Sequence, residues 1–224
     1  ERRRAFCEEE LRLNRRFAPG LYLEVQAIRG RPDAPRLDGD GAPIEYMVKM
    51  RRFRREDELS ALAREGRLTA GIVTALAAVV AYFHARSAAR PPDPAWGSAA
   101  QVLDHCMGNF RALAQAPLAA DEHARLRALE RWTQTEHARL APSITARQAA
   151  GFVRECHGDL HLGNIVLLDG RPTPFDALEF DPALRLIDVM NEVAFLLMDL
   201  DVRARRDLAF HFLNSWLDAT GDFA

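Results

Sequence analysis

His157-Gly158-Asp159-Leu160-His161-Leu162-Gly163-Asn164, taken with Asp176 just beyond it, is the stretch from which the rest of this chain can be read. Strand-forming Phe152-Val153 leads in, and the apolar run Ile165-Val166-Leu167-Leu168 leads out. Asp169-Gly170 then signals a tight turn before a second extended piece that ends in Phe175-Asp176. A polar loop therefore enters a hairpin, and the return strand carries an acid back beside the loop. The Asp159 carboxylate, the Asn164 amide oxygen five positions on and the Asp176 carboxylate form a compact set of hard oxygen donors. Such a set suits Mg²⁺, which takes oxygen ligands and shares its shell with substrate phosphates.

The spacing Asp-x-x-x-x-Asn is that of kinase-type phosphoryl transfer, where an Asp accepts the hydroxyl proton and an Asn and a later Asp hold metal. His157 to Asn164 resembles the HGDxHxxN catalytic loop of aminoglycoside phosphotransferases and choline kinases, relatives of the protein kinases. Phe175-Asp176 looks like their counterpart of the Asp-Phe-Gly acid. The likeness is closer to the phosphotransferase-like half of certain bacterial two-domain proteins whose other half is a P-loop ATP-binding domain. Arg2 to Arg16, Glu179-Phe180-Asp181 and Asp188-Val189-Met190-Asn191-Glu192 carry that closer match.

The resemblance implies an α+β, protein kinase-like fold. A truncated, small β-rich N-lobe would occupy residues 1–53, and a mainly helical C-lobe with the catalytic-loop hairpin residues 54–224. It also implies ATP and Mg²⁺ as cofactors, transfer of the γ-phosphoryl group to a small-molecule hydroxyl, and a fused P-loop domain downstream as a partner. Asp159 would be the base or positioning group, with His157 beside it among the catalytic residues as a pin for the loop rather than a chemical participant. Asn164 and Asp176 would hold the metal. Met50 and Arg51 open the hinge whose backbone would meet adenine. Glu10 would pair with the lysine that holds the phosphates, and Asp188 would accept hydrogen bonds from the loop backbone or simply cap a helix.

At 224 residues and 48% hydrophobic, the chain can bury a real core. The net charge of −2 gives no reason to expect nucleic acid, which needs a basic excess or stripe. Cys7, Cys106 and Cys156 make neither a disulfide framework nor a zinc pattern, so a reducing, cytoplasmic setting is expected. The longest apolar stretch, Ile72 to Phe83, is too short to span a bilayer. The chain opens on Glu1 inside a helical pattern, which suggests a fragment whose phosphate-binding lysine and first strands lie upstream.

Phe6, Leu13 and Phe17 mark a helix over residues 1–17, with Glu10 beside that stripe. Without its lysine, Glu10 would leave this helix loosely held. Leu21 to Ile28 and Ile44 to Met50 read as strands joined by a long hairpin loop. A rival register makes Lys49, the only lysine, the phosphate-binding residue. That register needs two further strands before the central loop, whereas residues 56 to 148 read as helical throughout. Within them Thr69 caps a helix to Arg86 that buries Ile72, Val73, Leu76, Val80 and Phe83, and Arg90 to Pro94 reads as a rigid loop. Helices follow over Ala99 to Gln115 and Asp121 to Leu140, then a short one after Pro142-Ser143. Ile187 to Leu200 and Arg203 to Leu217 are the last helices, with no evident closure of the core at the end. The alternating His157, Asp159 and His161 admit a metallophosphoesterase as a rival. A kinase-like module that binds nucleotide without turnover is a third reading.

Overall fold

The first helix, α1 (Arg2–Asn14), gives way to a turn in which Phe17 and Ala18 donate to the Asn14 carbonyl, ahead of the Pro19-Gly20 break. The computed structural model describes residues 2–37, 39–87 and 94–223, and over them the chain is a mixed helix-and-sheet, α+β protein. Strand β1 (Tyr22–Arg31) runs longer than its apolar alternation suggests. A short β2 (Ala34–Arg36) folds back onto it, so that Gly30 faces Pro35. Residues 29–43 are thus partly strand rather than one long loop. Strand β3 (Glu45–Met50) completes an antiparallel sheet of order β2-β1-β3, against which α1 packs. Lys49 pairs with Glu24 across β1 and β3 at 2.9 Å, both side chains about half exposed, which makes it a surface cross-strand pair.

Past the sheet come α2 (Leu59–Arg64) and α3 (Ala70–Arg86), the latter capped by Thr69 as its sequence predicts. Val73, Leu76, Ala77, Val80 and Phe83 are buried, and Ile72 only partly so. Of the expected loop at Arg90 to Pro94, residues 90–93 lie outside the described residues. Helix α4 (Ala99–Leu113) leads to α5 (Ala120–Ala149), one continuous helix where the sequence predicts a break at Pro142. Proline removes one helical hydrogen bond and crowds the preceding turn. Ala138, whose carbonyl loses its partner, is exposed to water. Tertiary contacts then hold the last turns in line: Gln148 donates to the carbonyls of Pro94 and Trp96 at 2.8 Å. Among the described residues no strand lies between Met50 and Val153, in keeping with the helical reading of that stretch.

Strand β4 (Val153–Glu155) follows, then the hairpin of β5 (Ile165–Leu168) and β6 (Arg171–Pro174), paired as the turn signal predicts, with Asp169 in a left-handed conformation. Helix α6 (Pro182–Arg185) is capped by Asp181. The residues expected to begin a helix at Ile187 instead form β7 (Leu186–Asp188), antiparallel to β4, because β4 needs a partner for its backbone. Helix α7 (Val189–Val202) starts two residues after the expected Ile187. Helix α8 (Arg206–Thr220) ends at a left-handed Gly221. Its Phe212 and Trp216 are fully buried with Leu76, Val80, Val193 and Leu196, so α8 does close the main core.

The first helix is not loosely held. Asn14, fully buried, accepts from Ala177 N at 2.8 Å, and Arg12 and Arg16 each reach Glu155 at 2.6 Å. Buried Arg185 adds a 2.6 Å bond to Glu9. These contacts fasten α1 to the helical body without help from Glu10.

Candidate functional site

Gly158 opens the central loop at φ +86°, and a Cβ there would sit 3.0 Å from the Arg185 side chain and 3.1 Å from the Leu184 carbonyl, so only glycine serves. His157 before it is fully buried. Its Nε2 donates to the Phe175 carbonyl at 2.9 Å, and its Nδ1 faces Asp159 N at 3.4 Å. Burial pushes the imidazole pKa below its ordinary value, against the pull of Glu192, so the ring is neutral. Both ring nitrogens are spent within the loop. His157 thereby pins the loop to the hairpin.

Asp159 keeps a side chain 41% exposed, while Asn164 is buried. The Asn164 amide nitrogen donates to the Asp159 carboxylate and to the Asp159 carbonyl, both at 3.0 Å. That leaves the Asn164 Oδ1 with no hydrogen bond among the described residues. His161 caps the short turn at Leu162–Asn164 through a bond from Gly163 N at 3.0 Å, and its other nitrogen stands 3.6 Å from Asp159, too far for a hydrogen bond.

The hairpin returns Asp176 to the same loop. Phe175 N donates to the Asn164 carbonyl at 2.9 Å, and Leu178 N donates to the His157 carbonyl at 2.9 Å. Asp176 itself has φ +64°, a conformation that costs most L residues about 1 kcal/mol or more and that Asp tolerates best. Its N–H donates to the Tyr22 hydroxyl at 2.9 Å, so β1 helps to hold the turn. Burial raises the Tyr22 pKa, which keeps that hydroxyl neutral.

Glu10 on α1 is half-buried beside this acid. Burial first, then the charges of Glu179 and Asp176, push its pKa up to about 7. It makes no ion pair among the described residues. At the hinge, Met50 and Arg51 line a cleft of about 960 Å³ with Phe53 and Phe175. The Arg51 N–H, however, donates to the Leu21 carbonyl at 2.8 Å and is not free for a ligand. Arg52 and Arg55 line the same cleft and form no ion pair among the described residues, so that with Glu56 and Glu58 also in the lining the rim is net positive.

The acid that holds the loop backbone is not Asp188. That side chain caps α7 through Met190 N and binds Arg147 at 2.7 and 2.9 Å. Glu192, one turn further, has the role instead: it accepts from His157 N, from Gly158 N at 2.9 Å and from His84 Nε2 at 2.7 Å. Asp199 adds a bond from Leu162 N at 2.9 Å. Glu192 lies on the same helix face as Val189, Val193, Leu196 and Leu200, all buried. A lone carboxylate on an apolar stripe is the signal that could have found it.

His84, Cys156 and Glu192 bring possible metal-ligating atoms within 4.8 Å of one another. Their capacity is already used. His84 Nδ1 accepts from Trp216 Nε1 at 3.2 Å, and burial raises the Cys156 thiol well above its ordinary pKa, which disfavours the thiolate a metal needs. The three form a hydrogen-bonded core beneath the loop. By contrast, the Asn164 Oδ1 and the Asp176 carboxylate are oxygen donors of the kind Mg²⁺ takes.

No family model matches the chain, and no solved structure matches it. It is similar to uncharacterized proteins of Mycobacterium tuberculosis and Mycobacterium bovis, each 29% identical over 224 residues, which is all of this chain and 43% of the relative. The chain thus spans less than half the length of these curated relatives.

Proposed function

We propose that this chain is the phosphotransferase-like part of an ATP-dependent small-molecule kinase, protein kinase-like in fold, that acts in the cytoplasm. The observation that carries the reading is the Asn164 amide bonded at 3.0 Å to the Asp159 carboxylate, next to a hairpin that returns Asp176 to the same loop. Asp159 is then oriented to accept the proton of an acceptor hydroxyl, and it stays half open to receive one. Asn164 and Asp176 hold Mg²⁺, which when bound offsets the charge of the phosphates. The cleft at Met50, with Arg52 and Arg55 on its rim, suits an anionic nucleotide. The greater length of the relatives leaves room for a fused P-loop domain as partner.

The metallophosphoesterase reading is weaker here, because both ring nitrogens of His157 are committed and His161 has only its Nε2 left to offer a metal, where such a site wants several histidine ligands. Binding without turnover is separated by assay. In the protein as encoded, Asp159→Asn lowers phosphoryl transfer from ATP about 10²- to 10⁴-fold with Mg-ATP affinity unchanged. Asp176→Ala loses Mg-dependent nucleotide binding. Full transfer by both variants overturns the proposal. Nucleotide binding with no transfer by the unmodified protein, to any hydroxyl acceptor, favours the module without turnover.

A further inference from the structure

A groove of about 380 Å³ opens beside the central loop, with Gly158 and Leu160, the chain neighbours of Asp159, in its wall. Its other walls come from α4 and α7, with Leu184 of α6 and the end of β7, and its volume is near the lower end for small-molecule sites, roughly 300–1,000 Å³. Two carboxylates line it, and neither is free. Asp188 is bound to Arg147 and caps Met190 N; Glu192 is enclosed by His84 and the backbone of His157 and Gly158. Among the described residues no lysine or arginine lines the groove. An ammonium entering it would lose water and find both carboxylates already engaged by other donors, so it would gain less than from an open acid. Glu179 and Asp181 do not line it: Asp181 caps Ala183 N, and Glu179 acts on Glu10.

Among the described residues, four side chains of the lining have open hydrogen-bonding capacity: Asn109, Asn191, His105 and the amide nitrogen of Gln101. The side chains of Asn109 on α4 and Asn191 on α7 make no hydrogen bond among the described residues, and each amide offers both donors and an acceptor. They stand among Leu160, Leu184 and the part-exposed Phe195 and Met198. Surface asparagines alone would mean little. Amides set in a concave apolar wall next to a candidate base match a molecule with hydroxyls on its edges and C–H on its faces.

We propose that this groove binds a neutral polyhydroxylated compound, a sugar or cyclitol rather than a cation, as the phosphate acceptor. The inference rests on the phosphotransfer reading. In the step it serves, an acceptor hydroxyl oxygen bonds to the γ-phosphorus of ATP as the bond to ADP breaks, and the hydroxyl proton passes to Asp159.

The test is direct binding followed by NMR of the full chain, with glucose, N-acetylglucosamine and myo-inositol as neutral probes and glucosamine and choline as cations. Glucose and glucosamine differ in one hydroxyl against one ammonium, which isolates the charge. At least one neutral probe should shift the signals of Asn109, Asn191 and Leu160 at millimolar concentration, with glucosamine weaker than glucose. Asn109→Ala and Asn191→Ala, both at exposed positions, should each weaken that binding about three- to tenfold. Cations that bind the groove more tightly than the neutral probes overturn the inference, as does the absence of any neutral binding there. So does neutral binding that both alanine variants leave unchanged. The parent reading fails separately: a polyol that binds here and receives no phosphate from Mg-ATP removes the transfer reading and leaves the groove's selectivity standing. Phosphorylation of a cationic acceptor does the reverse.

Discussion

At the scale of single residues, Glu192 and Glu10 show opposite fates for a carboxylate taken from water. Glu192 is 2% exposed, and burial raises its pKa, but the bond from His84 and the charges and N–H groups around it outweigh that and hold it below its ordinary value. Glu192→Ala removes the acceptor for His157 N and Gly158 N, and should cost about 3–5 kcal/mol in chemical denaturation. Amide exchange at His157 and Gly158 should speed up in parallel; unaltered exchange there would rule out the anchoring role. Glu10 has no such compensation. Its folded pKa of about 7 stands above the ordinary 4.5, so the folded state binds more protons than the unfolded state between those values. Its ionisation therefore destabilises the fold progressively as pH rises from about 4.5 to about 7, with no further change above. Glu10→Gln should match the unmodified protein in thermal midpoint at the acid end of this window and exceed it at pH 8. Parallel midpoint curves across the window would contradict this. The position of Glu10 beside an apolar stripe was legible in the sequence. The grouping with Asp176 and Glu179 was not, because those acids lie far along the chain and only the fold makes them neighbours.

At the scale of elements, Pro142 is the instructive case. Proline in a helix interior costs about 3 kcal/mol relative to alanine, part of which is offset because it also restricts the unfolded chain by about 0.4–1 kcal/mol. Since α5 is already continuous, Pro142→Ala should raise stability by about 2 kcal/mol, read as a higher denaturation midpoint. A lower midpoint would mean that the helix depends on the proline. Local rules favour a boundary here, and docking of the C-terminal turns through Gln148 and Arg147 overrides them. The start of α7 teaches the same lesson. Apolar periodicity runs back to Ile187, yet Leu186–Asp188 pairs with β4, and a ladder between distant segments leaves no trace in a helical pattern. Where the signal is local, as in the Asp169-Gly170 hairpin or the Thr69 cap, sequence and structure agree.

At the scale of the whole molecule, the sheet with α1 is joined to the helical body through Glu155. Arg12 and Arg16 meet it at 2.6 Å and Arg185 at 3.5 Å. Burial raises the Glu155 pKa, but the bond to Arg12 and the surrounding arginine charges more than reverse this, so its contribution is present above the ordinary carboxylate range and fades as pH falls through its lowered pKa. Glu155→Ala leaves three arginines crowded together and should cost about 1–3 kcal/mol. Amides of α1 should then exchange before those of α7; equal protection of the two helices would show that the junction does not depend on this network. By itself the sequence determined the central loop, its hairpin, the acid on the return strand and most helices, since each depends on residues close in the chain. Only the tertiary structure decided which acid holds the loop, that His157 is sealed, that α1 is pinned by Asn14 and Glu155, and that the two carboxylates lining the groove are already hydrogen-bonded. Those outcomes depend on which side chains meet after folding, and a hydrogen bond between Glu192 and the backbone 34 residues earlier has no local pattern to announce it.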